Sequence, residues 1–270
     1  MKYSALLPAV GAGALLAAVF AAPRDPVPNP MKGRVPVVVE LFTSEGCSSC
    51  PPADKLLMRI AEQQPVGGAE IIVLSEHVDY WNRLGWKDPF SHSRFSQRQQ
   101  EYSRQRWPGK VYTPQMVVDG SVEFVGSDAA AALDAIAAAA KNPKDKVELE
   151  LGVQQAETLP VSIRISGFPT QKGRAEVILA VSEDDLSVDV ARGENGGRRL
   201  NHSGVVRDWR VIGSIDLSKG APFEKSERVS LSSEWKPEKL RIVALLQESP
   251  VGRIIGAAAI APRMNAGSRR

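Results

Sequence analysis

The chain has 270 residues, of which 43% are hydrophobic and 24% charged, so it can bury a sizeable core and is long enough for two domains. Its formal net charge at pH 7 is only +3 and is spread along the sequence, which gives no electrostatic reason to expect nucleic acid as a partner. Its two cysteines are too few for a scaffold held together by several disulfides, so the core itself must stabilise the protein.

The N-terminal segment has the charged start and the short apolar stretch of a secretory signal peptide. The apolar run over residues 6–22 is shorter than the ~20 residues that a membrane-spanning helix needs, although an uncleaved anchor is the alternative. We therefore expect residues 1–21 to be removed on export and the proline-rich residues 22–34 to form an extended linker. The mature protein is then expected to be periplasmic or secreted, without stable insertion into a membrane.

Residues 35–143 alternate between strand and helix patterns. The predicted elements, in chain order, are a strand at 36–42, a helix at 51–63, a strand at 70–75, an irregular segment at 77–90, a helix at 91–106, strands at 115–118 and 122–125, and a helix at 128–141 capped by Ser127. Asp119-Gly120, between the last two strands, is typical of a tight hairpin turn. The order β-α-β-α-β-β-α predicts an α/β domain.

Beyond residue 143 the pattern changes to short β runs separated by turn residues. Runs at this spacing are typical of an antiparallel sandwich. We therefore predict an all-β, sandwich-like domain over residues 144–263 and a disordered tail over residues 264–270. The glycine-rich, charged segment 192–202 is predicted to be a mobile hairpin tip, with binding of an acidic partner as the alternative.

The two cysteines form a Cys-x-x-Cys motif, Cys47-Ser48-Ser49-Cys50, directly before the first predicted helix. The first turn of a helix presents unpaired N–H groups and a positive dipole potential, which favour the thiolate form of the nearer sulfur. We therefore predict that Cys47 is the attacking thiol and Cys50 the resolving thiol of a redox couple.

The element order, together with a dithiol at the first strand–helix junction, resembles the thioredoxin fold. In that superfamily a proline in the cis configuration opens the third strand and lies against the dithiol. Pro114, in Tyr112-Thr113-Pro114-Gln115, occupies the matching position, with an ordinary trans proline as the alternative. The resemblance implies that the backbone of Thr113 contacts an extended substrate segment.

Glu40 interrupts the otherwise apolar first strand. Thioredoxins carry a buried acidic residue near this point, and the resemblance implies that Glu40 accepts a proton from the resolving thiol. The match requires one extra residue in the loop over residues 43–46. The alternative is a solvent-exposed Glu40 on an edge strand.

The segment over residues 77–90 carries several aromatic side chains after the second strand, at the sheet end that faces the ligand crevice in open α/β sheets. We predict that His77, Asp79 and Trp81 contribute to substrate binding beside the dithiol. A packed loop with a small apolar core of its own is one alternative. Copper bound by His77 and the two cysteines is another, because thiolates and imidazole suit that metal.

The whole arrangement is similar to a family of secreted bacterial thioredoxin-like proteins catalogued only as a domain of unknown function. The residues that carry this similarity are Glu40 to Asp54, His77 to Phe90, Tyr112 to Gly120 and Gly193 to Arg207. The resemblance implies a fold and a dithiol but no substrate.

Three functions are compatible with these features. The leading hypothesis is an exported thiol-disulfide oxidoreductase that acts on a protein or a small thiol or disulfide, with no cofactor and no resident metal ion. The second is a copper- or haem-assembly accessory whose dithiol holds a metal. The third is a non-catalytic adaptor with a structural disulfide, for which a reduction potential below about −300 mV together with an inaccessible Cys47 would be the signature.

Overall fold

The structure is a computed structural model that describes Met1, residues 33–167 and residues 172–262. Most of the predicted signal peptide and linker, and the whole predicted tail, lie outside the described residues. Within the described ranges, no helix has both the length and the apolar character needed to cross a membrane.

The protein is built from three α-helices and thirteen strands within these ranges. In chain order they are β1 Val35–Thr43, α1 Pro51–Gln63, β2 Ala69–His77, α2 Ser93–Gln105, β3 Gln115–Val118, β4 Val122–Val125, α3 Ala129–Ala139, β5 Lys146–Leu151, β6 Thr158–Ser166, β7 Arg174–Glu183, β8 Leu186–Val190, β9 Arg198–His202, β10 Val205–Asp216, β11 Phe223–Ser230, β12 Leu240–Glu248 and β13 Ile254–Ile260. The first seven elements follow the predicted order.

The first half of the chain forms a sheet covered on both faces. Strand β1 runs parallel to β2 and antiparallel to β3, which turns into β4 through Asp119 and Gly120. Both turn residues have positive φ, 49° and 61°, as a tight hairpin requires. Apolar side chains of α1 and α3 pack on one face of β1, and those of α2 pack on the other.

Helix α3 begins one residue later than predicted. Its N-cap is Asp128, whose carboxylate accepts a hydrogen bond from the backbone N–H of Ala131 at 3.0 Å. We predicted Ser127 as the cap. Both residue types are good caps, and only the backbone path decides which side chain reaches the exposed N–H groups.

The second half of the chain extends the same sheet instead of forming a separate unit. The eight strands lie in the order β13-β12-β7-β10-β2-β1-β3-β4. Strand β10 meets β2 in parallel at Val205 and Ser75, and the N–H of Ser75 donates to the carbonyl of Gly204 at 2.7 Å. The chain from Gly33 onward therefore forms one compact unit, and the predicted boundary at residue 143 does not divide it. The physical reason is that β2 would otherwise expose unpaired backbone groups at its edge.

A second, three-stranded sheet in the order β11-β6-β5 packs against the β13-β12-β7-β10 part of the large sheet. Alternate residues of β6 are buried in this interface: Leu159, Val161, Ile163 and Ile165. This two-layer packing agrees with the sandwich-like pattern of the sequence. One of its layers, however, is shared with the first half of the chain.

Strands β8 and β9 form a hairpin of their own that packs against α1. The segment over residues 192–202 was predicted to be entirely loop, but its last five residues are β9. In Arg-Arg-Leu-Asn-His the side chains of Leu200 and His202 are buried while the others are exposed. That alternation is the period of a half-buried strand, and the neighbouring glycines and charges obscured it.

Candidate functional site

The candidate site is a disulfide between Cys47 and Cys50, in the loop that leads from β1 into α1. Cys50 is the residue immediately before the helix, and its carbonyl accepts a hydrogen bond from the N–H of Asp54 at 3.1 Å. The Cys47 sulfur lies 3.3 Å from the hydroxyl oxygen of Ser49. The predicted pair of cysteines is therefore at the N-terminus of a helix, with one hydroxyl close enough to interact with a sulfur anion.

The peptide bond between Thr113 and Pro114 is cis, as predicted. The Thr113 hydroxyl accepts a hydrogen bond from the indole N–H of Trp81 at 2.8 Å. Trp81 also packs against Gly46, where an added Cβ would lie only 3.2 Å from the Trp81 Cβ. Trp81 thus connects the proline loop to the loop that carries Cys47, and the missing side chain at Gly46 permits this close approach.

Residues 191–197 connect β8 to β9, and we call them the covering loop because they are hydrogen-bonded to the segment that carries the disulfide. The side-chain amide of Asn195 donates hydrogen bonds to the carbonyls of Glu45 and Cys47, at 2.8 and 2.9 Å. The carboxylate of Glu194 accepts a hydrogen bond from the N–H of Ser48 at 2.9 Å. Both cysteines are 0% exposed, whereas the two serines between them face solvent.

A buried group of carboxylates and imidazoles includes residues that flank the two cysteines in the chain. We call Glu45, Asp54, His77, Asp88 and His202 the acid–imidazole cluster. His77 Nδ1 and Asp88 Oδ2 are 2.7 Å apart, and the rings of His77 and His202 pack edge to face at 4.8 Å. His202 Nε2 lies 3.5 Å from Glu45 Oε1, and His202 Nδ1 lies 3.9 Å from Asp54 Oδ1.

Burial and neighbouring charges shift the pKa values of these groups in opposite directions. Burial alone would lower the pKa of His77, but the carboxylates of Asp88, Asp54 and Glu45 raise it above its ordinary value. Burial would raise the pKa of Asp88, but the charge and hydrogen bond of His77 hold it below its ordinary value. The pKa of Asp54 is raised, because burial outweighs the neighbouring imidazoles and the Thr43 hydroxyl. These shifts favour an ionic pair between His77 and Asp88 and, beside it, the protonated form of the Asp54 carboxyl.

Several buried atoms of this cluster have no hydrogen-bond partner within the described residues. They are Glu45 Oε1, Asp54 Oδ2, His77 Nε2 and both ring nitrogens of His202. Unpaired buried polar atoms are costly, so each of these atoms requires an explanation. Among the described residues no set of three or more His, Cys, Asp or Glu side chains is placed to hold a metal ion.

A family profile described as "Protein of unknown function (DUF1223)" matches residues 38–247, which is most of the chain. The chain belongs to the DUF1223 family. A crystal structure of a protein from Agrobacterium tumefaciens is 28% identical in sequence and has a TM-score of 0.65, and the match covers 88% of this chain and 99% of that one.

HBP35 of Porphyromonas gingivalis has a similar structure, with a TM-score of 0.60 over 84% of this chain and 75% of that one. At 13% identity this likeness concerns the fold alone. The search of curated proteins found no match. The DUF1223 description carries no activity, so the site geometry has to supply the functional argument.

The structure brings only part of the predicted substrate-binding set of this DUF1223 protein to the disulfide. His77 is in the acid–imidazole cluster, and Trp81 bridges Thr113 and Gly46. Asp79 instead accepts a hydrogen bond from Ser96 of α2. Its predicted role in substrate binding stays a prediction without a contact to support it.

Glu40 is fully buried, so the solvent-exposed alternative is wrong. Its two oxygens accept hydrogen bonds from Arg98 Nε at 2.7 Å and from the Tyr102 hydroxyl at 2.7 Å. Arg98 also lies 3.6 Å from a carboxylate oxygen of Glu76. Within the part of the chain that the structure describes, no hydrogen bond joins Glu40 to either sulfur, and both of its oxygens are occupied, so its predicted role in proton transfer has no contact to support it.

Sequence reasoning missed Asn195, Asp54 and His202. The spacing of Asp54, one helical turn after Cys50, was available as a signal. For His202 the available signal was the alternation of apolar and polar residues around Leu200, which indicates a half-buried strand. Nothing local marks Asn195, because its partners lie about 150 residues earlier in the chain.

Replacing Glu76 by glutamine is expected to remove a pH-dependent part of the stability. Burial and the neighbouring Glu40 raise the pKa of Glu76 well above its ordinary value of 4.5, while Arg98 opposes the shift. A group whose pKa is higher in the folded state stabilises the fold below its unfolded pKa, and this contribution is lost as the pH rises through the folded pKa. The free energy of unfolding of the wild type should therefore fall, relative to that of Glu76→Gln, as the pH rises above 4.5. Urea denaturation of both proteins across this pH range measures the difference in their free energies of unfolding. If that difference does not change with pH, the raised pKa of Glu76 is contradicted.

Proposed function

We propose that this protein is an exported thiol-disulfide oxidoreductase built on a thioredoxin-like fold. The observation that carries the proposal is the disulfide between Cys47 and Cys50 at the start of α1, linked through Trp81 to the cis Thr113-Pro114 bond. The element order β-α-β-α-β-β-α and the strand order β2-β1-β3-β4 support the proposed fold. Export rests on the signal-like N-terminal sequence.

The proposed reaction is thiol-disulfide exchange with a dithiol substrate. A substrate thiolate attacks the Cys47 sulfur, the bond to Cys50 breaks, and Cys50 leaves as a thiolate that takes up a proton. The second substrate thiolate then attacks the substrate sulfur of the mixed disulfide. Cys47 leaves as a thiolate, and the substrate departs as a disulfide. The substrate loses two electrons and the protein gains them, so no cofactor is required.

Reaction requires the covering loop to move. Both sulfurs are buried, and the contacts that hold the loop over them are the hydrogen bonds of Asn195 and Glu194. Ser48 and Ser49 are already exposed on the outer side of the turn. Loss of a few hydrogen bonds therefore suffices to admit a substrate, and the strands of the large sheet stay in place.

Trapping of mixed disulfides tests the proposal. In Cys50→Ser the resolving thiol is absent, so Cys47 should accumulate disulfide-linked substrates from an extract of the compartment to which the protein is exported. Cys47→Ser is the matched control and should give none, because the attacking sulfur is missing. The absence of such adducts, combined with failure of the wild type to catalyse insulin reduction, would contradict the proposal.

One observation favours a second function, a non-catalytic adaptor with a structural disulfide. Cys47 is 0% exposed, which is one of the two features expected for that case. A structural disulfide resists reduction and has a potential below about −300 mV. Equilibration of the couple with a dithiol buffer distinguishes the two functions, because an exchange enzyme should have a higher potential than that.

A further inference from the structure

We propose that protonation of His202 fastens the β8–β9 hairpin to the loop that carries Cys47, so that the Cys47–Cys50 disulfide is less accessible to reductants at acidic pH. As a means of regulating thiol-disulfide exchange, this inference rests on the proposed function. His202 is the last residue of β9, in the hairpin that carries the covering loop. Its side chain is only 1% exposed, and neither ring nitrogen has a hydrogen-bond partner within the described residues.

The ring nitrogens of His202 face carboxylates on the two segments that carry the cysteines. Nε2 lies 3.5 Å from Oε1 of Glu45, which precedes Cys47 by two residues. Nδ1 lies 3.9 Å from Oδ1 of Asp54, in the first turn of α1 after Cys50. Both distances exceed the roughly 2.7–3.2 Å of an N–H···O hydrogen bond, and Glu45 Oε1 is itself buried without a partner among the described residues. The three side chains are therefore placed for two hydrogen bonds that are not formed.

Only an added proton allows both bonds to form. A neutral imidazole has one N–H donor and one acceptor nitrogen, and an ionised carboxylate only accepts. One ring nitrogen of neutral His202 therefore faces a carboxylate oxygen with no proton between them. A protonated ring donates from both nitrogens, and its charge strengthens each bond. Burial raises the pKa of Asp54, which lets its carboxyl share the added proton with Nδ1.

The other charged groups around His202 are compatible with a positive ring. His77 of β2 packs edge to face on it at 4.8 Å and lies 2.7 Å from Asp88, in the segment after β2. The acid–imidazole cluster thus holds three carboxylates and two imidazoles, which is enough negative charge to balance both rings when they are protonated. From β10, Arg207 lies 5.1 Å from the centre of the Phe90 ring, which contacts the His202 ring at 5.9 Å, and Arg207 also pairs with a carboxylate of β7.

Protonated His202 adds an attachment at the base of the hairpin. Asn195 and Glu194 attach the covering loop, at the tip of this hairpin, to the loop that carries Cys47. His202 pairs with Leu186 at the opposite end of the hairpin. A hydrogen bond to a charged group stabilises the attached form by a factor of about ten or more. Acidic pH therefore keeps the hairpin attached, whereas at higher pH fewer contacts oppose its release.

The pH dependence of disulfide reduction tests this inference. A small dithiol reduces the disulfide of the full chain, and each rate is divided by the thiolate concentration of the dithiol, which removes the titration of the reductant itself. The normalised rate of the wild type should fall at least about tenfold between about pH 8 and about pH 5. The midpoint of this fall should coincide with the titration of the His202 ring, measured by NMR. A flat profile, or a midpoint that matches His77 or His92 instead, would overturn the inference.

Two substitutions isolate the contact of His202. His202→Gln removes the titrating ring, so its normalised rate should vary by less than about twofold over the same pH range. Glu45→Gln keeps an oxygen for the indole N–H of Trp86 but loses its charge, and it should make the fall smaller than in the wild type. A wild-type profile in His202→Gln would overturn the inference. If that variant does not fold, the comparison of midpoints in the wild type decides alone.

His92→Gln is the matched control. The chain has three histidines, so substitution of one at a time also assigns their NMR signals. His92 is exposed, and glutamine retains a side-chain acceptor for the N–H of Arg94. This variant should keep the wild-type profile, and loss of the pH dependence in it would contradict the role of His202.

Failure of this inference and failure of the proposed function give different results, because chemical reduction needs no enzymatic activity of the protein. If mixed disulfides are trapped but the normalised rate does not depend on pH, the exchange function stands and the role of His202 is overturned. If the rate follows the titration of His202 but no mixed disulfide is trapped in Cys50→Ser, the contact stands and the oxidoreductase function fails.

Discussion

Replacing Arg98 by methionine is expected to lower the free energy of unfolding by about 3–5 kcal/mol. The Arg98 side chain is only 7% exposed and lies 2.6 Å from Glu40 and 3.6 Å from Glu76. It also donates to the side-chain carbonyl of Gln247 in β12 at 3.0 Å. Without the guanidinium, a buried carboxylate loses its counter-charge. In addition, one shared side chain no longer joins α2 to the first and second halves of the large sheet.

The measurement is urea denaturation at neutral pH of the wild type, Arg98→Met and a matched control. Arg104→Met provides that control, because Arg104 lies on the same helix but faces solvent and should change stability by no more than about 0.5 kcal/mol. A triple variant with Glu40→Gln, Glu76→Gln and Arg98→Met should recover part of the loss, since it leaves no uncompensated charge. If the two arginine substitutions lower the free energy of unfolding by the same amount, the stabilising role of the buried ion pair is contradicted.

Replacing Asn195 by alanine is expected to increase the rate at which a small dithiol reduces the Cys47–Cys50 disulfide by roughly 30-fold. Asn195 holds the covering loop through two buried hydrogen bonds, to the carbonyls of Glu45 and Cys47. At about 1 kcal/mol each, their loss stabilises the open form relative to the closed one by about 2 kcal/mol. Because both sulfurs are buried in the closed form, the rate should follow the open population.

Asn201→Ala is the matched control for this experiment. Asn201 lies in the same hairpin, is exposed, and accepts a hydrogen bond only from Ser187 among the contacts of the described residues. It should leave the reduction rate unchanged. Urea denaturation of both variants shows whether the effect is local, because a global loss of stability would expose the disulfide in either case. If Asn195→Ala is reduced at the wild-type rate, the covering loop does not control access.

The elements of the first half could be predicted from sequence because their signals are local. Helix α1 spans Pro51–Gln63 as predicted, since proline at its start and the apolar spacing act within a few residues. Strands β3 and β4 also have the predicted bounds, because Asp119-Gly120 defines the hairpin between them. The cis configuration at Pro114 came from the thioredoxin resemblance and is confirmed.

The composition of the site could not be predicted in the same way. Asn195 reaches the Cys47 loop from 148 residues further along the chain, and Glu194 reaches Ser48 from 146 residues. Local patterns of hydrophobicity carry no information on such pairings. Glu40 illustrates the same limit, because its interruption of an apolar strand indicated a buried carboxyl but not that Arg98 and Tyr102 would bind both of its oxygens.

The sequence by itself determined where the strands and helices of the first half form and that two cysteines precede a helix, because backbone propensity, side-chain period and turn chemistry act between near neighbours. Only the tertiary structure decided that β10 continues the sheet at β2, that the covering loop binds the segment that carries the disulfide, and that Asp54 and His202 lie beside each other. Those contacts join distant segments, and they form because the free backbone edge of β2 and the apolar face of α1 must be covered.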